Sequence, residues 1–379
     1  MYNQIREDTL YIMLYAVVAA LALTASCYLL LRRGNAFATD VTPPLRLRRW
    51  AAAFLGSIAL NHLWYMPIFF LNTSHDIRMT DLVGGLLDDM IFFPLAISVM
   101  LVMLQDRHRP LWPAFVMMVP TVGGAAWSIA NNSYAVFPVI CAYGILMGMG
   151  IIIYMVRELR RYGHWLRDNY ADLEHKEVWQ SFVVLAVMLT TFASYAFTSQ
   201  GPVYQYAMQV IVLMLIGYLP WRVETLSDLG AGQQPYPKEA EAEDSLPPPA
   251  ESNKMPQSTH DDYIGKLLQQ HCIDAQLYLQ HDLTVSQLAK AIGTNRYYLS
   301  QYFSGQGITY NAYINDLRIQ HFMGLYREAA ASQRPFTAQQ LAHESGYRSY
   351  STFGIAFKQR TGQTVTAWMR GCLPTGPCP

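Results

Sequence analysis

The chain has 379 residues and a formal net charge of zero, with 52% hydrophobic and only 14% charged residues. That length accommodates two or three domains, and the apolar excess over an ordinary soluble mixture brings part of the chain into contact with lipid. The five cysteines, Cys27, Cys141, Cys272, Cys372 and Cys378, form no CxxC pair, which excludes a zinc knuckle, a thioredoxin-like motif and a disulfide framework. No cofactor or metal is expected. The zero charge is itself a sum of unlike parts: fifteen cations against thirteen anions in residues 1–222, two against seven in 223–259, and ten against seven in 260–379.

A helix that crosses about 30 Å of hydrocarbon needs roughly 20 apolar residues. Seven stretches meet that requirement: 9–31, 50–72, 82–104, 111–130, 134–156, 178–199 and 203–221. The first is not a cleavable leader, since Arg6 is followed at once by Glu7 and Asp8 and no basic region precedes the apolar run. With the N-terminus outside, the inner loops hold Arg32, Arg33, Arg46, Arg48, Arg49, Arg107, Arg109, Arg157, Arg160, Arg161, Arg167 and Lys176. The outer segments then hold only Arg6 and Arg78. The excess of positive charge on the inner side sets this orientation. Seven spans that start outside end inside, so Trp221 and Arg222 deliver the rest of the chain to the cytoplasm, as expected of a protein of the bacterial inner membrane.

Polar residues within the spans are few. Asp88 and Asp89 lie six or seven residues into the third span from its outer end, about 10 Å deep at 1.5 Å per residue. His62, beside Asn61, sits at a similar depth in the second. Acidic residues inside a span are costly unless they face a cavity or a partner, and His62, Asp88 and Asp89 are the candidate lining of an outward-facing pocket for a small ligand or a proton. The seventh span has no lysine for a retinal Schiff base, and the spans hold no cluster of metal ligands. No phosphate loop, kinase signature or nucleophile motif points to an enzyme. The charged loop 157–177 reads as a solvated helical extension.

Residues 223–259 contain six prolines and almost no large apolar side chains, the composition of a disordered linker. Thirty-seven such residues span roughly 30–36 Å root-mean-square, enough for a tether but unable to transmit a rotation. After them one pattern occurs twice. The first copy is Leu288-Ala289, Gly293, Leu299 and Phe303, and the second is Leu341-Ala342, Gly346, Phe353 and Phe357. Each predicts a short helix packed by its Leu-Ala edge, a turn at the glycine, and a second helix anchored at i and i+4. Thr284 and Thr337 stand where N-caps start the first helices. Between the copies, 312–326 carries apolar residues at helical spacing and predicts a long connecting helix.

These segments, "LTVSQLAKAIGTNRYYLSQYF", "YNAYINDLRIQHFMGLY" and "FTAQQLAHESGYRSYSTFGIAFKQRTGQT", resemble the AraC/XylS group of bacterial transcription regulators. The resemblance covers about 110 residues and includes both helix-turn-helix units, the helix between them and the Gly-Tyr, Phe and Phe-Lys signature of the second unit. It departs from the group at Thr364-Val365, where Ser/Thr-Pro is usual, and at Gly354 in mid-helix. The resemblance implies that the second helix of each unit enters a major groove of double-stranded DNA. The implied base readers are Tyr297, Ser300 and Gln301 in the first unit and Tyr350, Ser351, Gly354 and Ile355 in the second. Arg296, Arg348, Lys358 and Arg360 stand where phosphate contacts are made.

The expected architecture is all-α: a polytopic seven-helix membrane sensor domain over 1–222, a linker over 223–259, a tandem helix-turn-helix domain over 260–371 and a tail over 372–379. The expected function is a membrane-integral one-component transcription regulator, with lipid, DNA and an unknown small ligand or signal as partners and with control by homodimerisation or proximity, the tether setting the local concentration. The alternative is a transporter or permease that carries a regulatory DNA-binding domain.

Overall fold

The computed structural model describes residues 8–32, 35–38, 41–133, 135–194, 201–229, 257–332 and 334–371. Arg6, Arg33, most of the expected linker, and the tail with Cys372 and Cys378 lie outside the described residues. The fold is all-α: every named element among the described residues is helical, and a single antiparallel bridge joins Tyr170 to Thr284. The chain divides into two compact units, one made of residues 1–162 and 175–234, the other of 163–174 and 235–379.

The first unit comprises α1 (Thr9–Leu31), α2 (Leu45–Tyr65), α3 (Ser74–Leu87), α4 (Phe93–Met103), α5 (Trp112–Val116), α6 (Val119–Asn131), most of α7 (Phe137–Asn169), α8 (Trp179–Ser194) and α9 (Pro202–Thr225). Among the described residues six segments are long and apolar enough to cross a membrane: Thr9–Leu31, Leu45–Phe69, Ser74–Met103, Trp112–Asn131, Phe137–Asn169 and Val203–Thr225. The remaining expected span, 178–199, is helical over Trp179–Ser194, and its last residues lie outside the described set. Asp8 caps α1 by accepting the Leu10 and Tyr11 N–H groups at 3.1 and 3.2 Å. The α1 and α2 backbones approach closely: the Ser26 hydroxyl donates to the Ala52 carbonyl at 2.7 Å, and a Cβ on Gly56 would meet that hydroxyl at 3.3 Å.

The third apolar span differs from its sequence reading. Its helix starts at Ser74 and not near residue 82, because polar residues such as Asp76 suit a first helical turn, where the dipole favours negative charge. Asp88 therefore stands fourteen residues into the helix, about 21 Å from its start, at the head of a π-turn, Asp88–Phe92, that leads into α4. Several of the basic residues expected in inner loops are held within the unit. Arg109 pairs with Asp106 and Glu158, each at 2.7 Å, and Arg48 donates to the Leu29 carbonyl at 2.7 Å and faces Glu224 at 3.9 Å.

The second unit contains the end of α7 and the residues after it, then α10 (Gln257–Leu268), α11 (Val285–Ala291), α12 (Arg296–Gly305), α13 (Tyr310–Ala331), α14 (Ala338–Glu344), α15 (Tyr350–Thr361) and α16 (Val365–Gly371). Both expected N-caps form. The Thr284 hydroxyl accepts the Gln287 N–H at 3.2 Å while the Gln287 side chain accepts the Thr284 N–H at 2.8 Å, a reciprocal capping box, and Thr337 accepts the Gln340 N–H at 3.1 Å. The turn glycines have positive φ, +74° at Gly293 and +90° at Gly346. At Gly346 a Cβ would also lie 2.8 Å from the Leu279 carbonyl oxygen, so two constraints select glycine there.

Each repeat builds its own core. Leu288, Ala289, Leu299 and Phe303 pack with Tyr310 and Ile314, whereas Leu341, Ala342, Phe353 and Phe357 pack with Ile319, Phe322 and Trp368. The connecting helix α13 thus supplies its first turns to one core and its later turns to the other. It is longer than the apolar pattern suggests, since Thr309 caps its start by accepting the Ala312 N–H at 3.2 Å. One further residue of the first core, Ala171, comes from the loop after α7. The expectation of a solvated helical extension over 157–177 holds as to the helix, which runs to Asn169, but one face of it is covered, with Glu158, Tyr162 and Leu166 buried, and beyond it Ala171 and Asp172 are buried too.

Phe322 is fully buried, with its ring centroid 4.5 Å from that of Phe353 and 5.8 Å from that of Phe357. Phe322→Ala is expected to cost about 3–5 kcal/mol of stability through lost burial and the cavity left behind, measured by denaturant unfolding of the full chain in detergent; an unchanged midpoint would rule out this account of the second core.

Candidate nucleic-acid interface

The helices α12 and α15 are the second helices of the two repeats. Asn295 caps α12 by accepting the Tyr298 N–H at 3.0 Å, and Ser349 caps α15 by accepting the Thr352 N–H at 3.3 Å. Their anchors Leu299, Phe303, Phe353 and Phe357 are buried, which turns the flanking positions outward. Tyr297 and Gln301 are exposed and Ser300 is half-buried in the first repeat; in the second, Tyr350, Ser351 and Ile355 are exposed and Gly354 is half-buried. Ile355 at 62% and Tyr297 at 67% exposure leave apolar surface bare on two helices whose other faces are well covered. Such surface suits a thymine methyl or a deoxyribose, and Gln301 suits the edge of an adenine. A Cβ on Gly354 would meet nothing within 4 Å, so the second reader presents only backbone there.

The four candidate phosphate contacts fall into two classes. Arg296 and Lys358 are exposed. Arg348 and Arg360, in contrast, are already paired, Arg348 with Asp282 at 2.9 Å and Arg360 with Asp316 through its Nε. Exposed pairs of this kind contribute about 1 kcal/mol or less, so either arginine can exchange its carboxylate for a phosphate. The acidic partners Asp282 and Asp316 carry no motif that a sequence search would single out.

Between the two cores lies Arg318, fully buried on α13. Its Nε donates to the Tyr278 carbonyl, its Nη2 to the Gln280 carbonyl and its Nη1 to Asp172 Oδ1, each at 2.8 Å. The guanidinium also lies 5.4 Å from the centroid of the Tyr347 ring. Burial pushes the Tyr347 hydroxyl above its ordinary range, so it stays protonated and donates to Asn315 at 2.8 Å. The helical spacing of α13 marked Ile314 and Phe322 as core but passed over Arg318, because charge at a core position runs against the pattern.

Residues 288–371 match a helix-turn-helix domain family. The match begins in α11 and ends with α16, so it takes in both readers, and it supports DNA-binding transcription regulation of the AraC type. No curated protein and no solved structure matches the chain. Among the described residues no group of His, Cys, Asp and Glu is arranged to hold a metal ion.

In the first unit the three candidate pocket residues have different hydrogen-bond partners. Asp88 is buried and accepts from Asn61 Nδ2 at 2.7 Å and from the Tyr65 hydroxyl at 2.9 Å. His62 is also buried, with Nδ1 against the Ile58 carbonyl at 2.8 Å, Nε2 against Gln209 at 3.1 Å and its ring 4.4 Å from that of Tyr15. Asp89 is half-buried and lies against Thr121. Sequence reading missed Gln209, Tyr15 and Gly84. A Cβ on Gly84 would come within 2.4 Å of the Tyr65 ring, so glycine there makes room for the tyrosine that reaches Asp88.

Two outcomes are expected. Gln301→Ala should lose about 1–3 kcal/mol of discrimination at one base pair, while Arg296→Ala should weaken binding to all sequences and lower the slope of log affinity against log salt by about 0.9; fluorescence anisotropy titrations at several salt concentrations separate the two. In the first unit, Gly84→Ala should cost about 1–3 kcal/mol through overpacking against Tyr65, whereas Gly85→Ala, with open space around its Cβ, should not; equal thermal midpoints for the two variants would contradict the assigned contact.

Proposed function

We propose that this chain is a membrane-integral, one-component transcription regulator, in which the first unit is a sensor embedded in the bacterial inner membrane and the second reads DNA in the cytoplasm. The observation that carries the reading is the pairing of two unlike surfaces in one chain. The second unit displays two capped reader helices within a matched helix-turn-helix domain. The first unit displays helices whose apolar side chains protein does not cover: on α7, Ile145, Leu146, Met149, Ile152 and Ile153 are all about half exposed or more. Bare apolar surface of that extent, on helices long enough to span a bilayer, favours lipid over water.

The orientation follows from charge, with the arginine-rich loops and the DNA-reading unit inside and the N-terminus outside. The polar cluster around Asp88 and His62 supplies the sensing centre. Buried polar networks have high stakes in a low dielectric, so a small ligand or a proton that replaced one partner would change the packing of α2, α3 and α9 together. Flux plays no part in this reading.

The test is genome-wide mapping of DNA bound by the full-length protein in intact cells, with a reporter on the strongest bound promoter. Discrete bound sites are expected, together with recovery of the protein in the inner-membrane fraction. His62→Ala and Asp88→Asn are expected to keep site occupancy in resting cells and to lose reporter changes across a panel of external pH values and small solutes. An absence of discrete sites would sink the regulator reading, and unchanged responses in both variants would sink the sensing role of the cluster.

A further inference from the structure

The segment 163–174 belongs to the DNA-reading unit, although both of its flanks, Tyr162 and His175, belong to the other. Its attachment is extensive. Tyr170 bridges to Thr284, the Ala171 N–H donates to the Leu283 carbonyl at 3.1 Å, and Asn311 Nδ2 donates to the Ala171 carbonyl at 2.5 Å. Asp172 accepts from the Asp282 N–H and from Arg318, both at 2.8 Å. The segment does not end on the core. Glu174 Oε2 accepts from the Thr352 hydroxyl at 2.9 Å, in the first turn of α15 between Ser351 and Phe353. At the other reader, Arg296 lies within electrostatic reach of Asp168 and Tyr170.

The chemistry of these contacts has a direction. Between Gly163 and Glu174 the charged side chains are Arg167 against Asp168, Asp172 and Glu174. The segment is acidic: Glu174 meets the first turn of α15, and Asp168 lies within electrostatic reach of Arg296 at the start of α12. Thr284, which receives its backbone, caps the first helix of the first repeat. The starts of both helices in such units are where DNA phosphates approach. A phosphate and a carboxylate cannot share one cation or one hydroxyl without strong like-charge repulsion. A segment kept only for packing would need Ala171 and Asp172; it would not need Glu174 on Thr352.

We propose that residues 163–174 form an acidic strap that competes with the DNA backbone for the reading face, so that strap docking and DNA binding are mutually exclusive. The proposal rests on the DNA-binding reading given above. Since the strap is joined at both ends to the sensing unit, a change there that withdraws it frees both readers at once. By linkage, DNA must loosen the strap as much as the strap weakens DNA binding.

The experiment uses the full chain in lipid nanodiscs and a mixed-sequence 30-base-pair duplex at low salt, where phosphate contacts dominate. The double variant Asp168→Asn, Glu174→Gln leaves Ala171, Asp172 and the core untouched. It is expected to bind the duplex about tenfold more tightly than the parent, within the usual range of coupling. A control of equal charge change at exposed acidic positions, Asp274→Asn with Glu328→Gln, is expected to gain less than about threefold from net charge alone. Hydrogen exchange of the parent gives a second reading, in which saturating duplex should speed exchange of the Ala171 amide at least tenfold. Equal gains in the two double variants, or Ala171 exchange that slows or stays unchanged with DNA, would overturn the strap. If no protein of the three binds duplex in a salt-dependent way, the DNA-binding reading falls, and the strap falls with it.

Discussion

A guanidinium with no access to water dominates the second unit. Removing a charge from water costs several kcal/mol even after the protein relaxes, and only close, well-aimed partners offset it. Arg318 finds them in the carbonyls of Tyr278 and Gln280, the carboxylate of Asp172 and the face of Tyr347. Those groups come from the segment before the first repeat, the loop after α7 and the turn of the second repeat. With the segment 163–174 docked all three arrive together, and in that state the relation between the repeats is fixed by an ion as well as by α13. Gly346 belongs to the same constraint, for a Cβ there would press to within 3.1 Å of Arg318 Nε as well as onto Leu279.

The two readers mounted on this frame are unequal. The first carries Tyr297, Ser300 and Gln301, with hydrogen-bonding groups that discriminate bases, and its Arg296 is exposed. The second offers Gly354 and Ile355, which favour close approach and methyl contact, and its arginines Arg348 and Arg360 are engaged with Asp282 and Asp316. On the proposed reading of these helices, the first repeat chooses the sequence and the second adds affinity. The proposed strap meets the second at Thr352 through Glu174 and reaches the first electrostatically, Asp168 toward Arg296, and so acts on both in one step.

What the sequence disclosed follows from the range of the interactions. The helix-turn-helix repeats were legible because each is specified within twenty residues: a threonine cap, a Leu-Ala edge, a glycine forced to positive φ, and two apolar anchors four apart. The all-α character was legible for the same reason. The start of the third apolar helix was not, because apolar content locates hydrocarbon and says nothing of a polar first turn such as that around Asp76. Asp88 and His62 stood out as polar residues among apolar neighbours, but their partners Tyr65, Gln209 and Tyr15 look like ordinary members of a helix. The docking of 170–174 was hidden most completely. Asp172 and Arg318 are 146 residues apart, and each is unremarkable in its own surroundings.

That separation has a consequence for how the protein is made. At roughly 5–20 residues per second, Asp172 leaves the ribosome some 7–30 seconds before Arg318, and in that interval it has no cation to meet. The DNA-reading unit is therefore completed backwards, its last-made helices closing on a piece synthesised with the apolar helices. A polypeptide begun at Gln257 would carry every residue of both readers and still lack Ala171 from one core and the carboxylate for its buried arginine. Gene truncation within the expected linker, which the sequence invites, would separate the DNA-reading unit from part of its own interior.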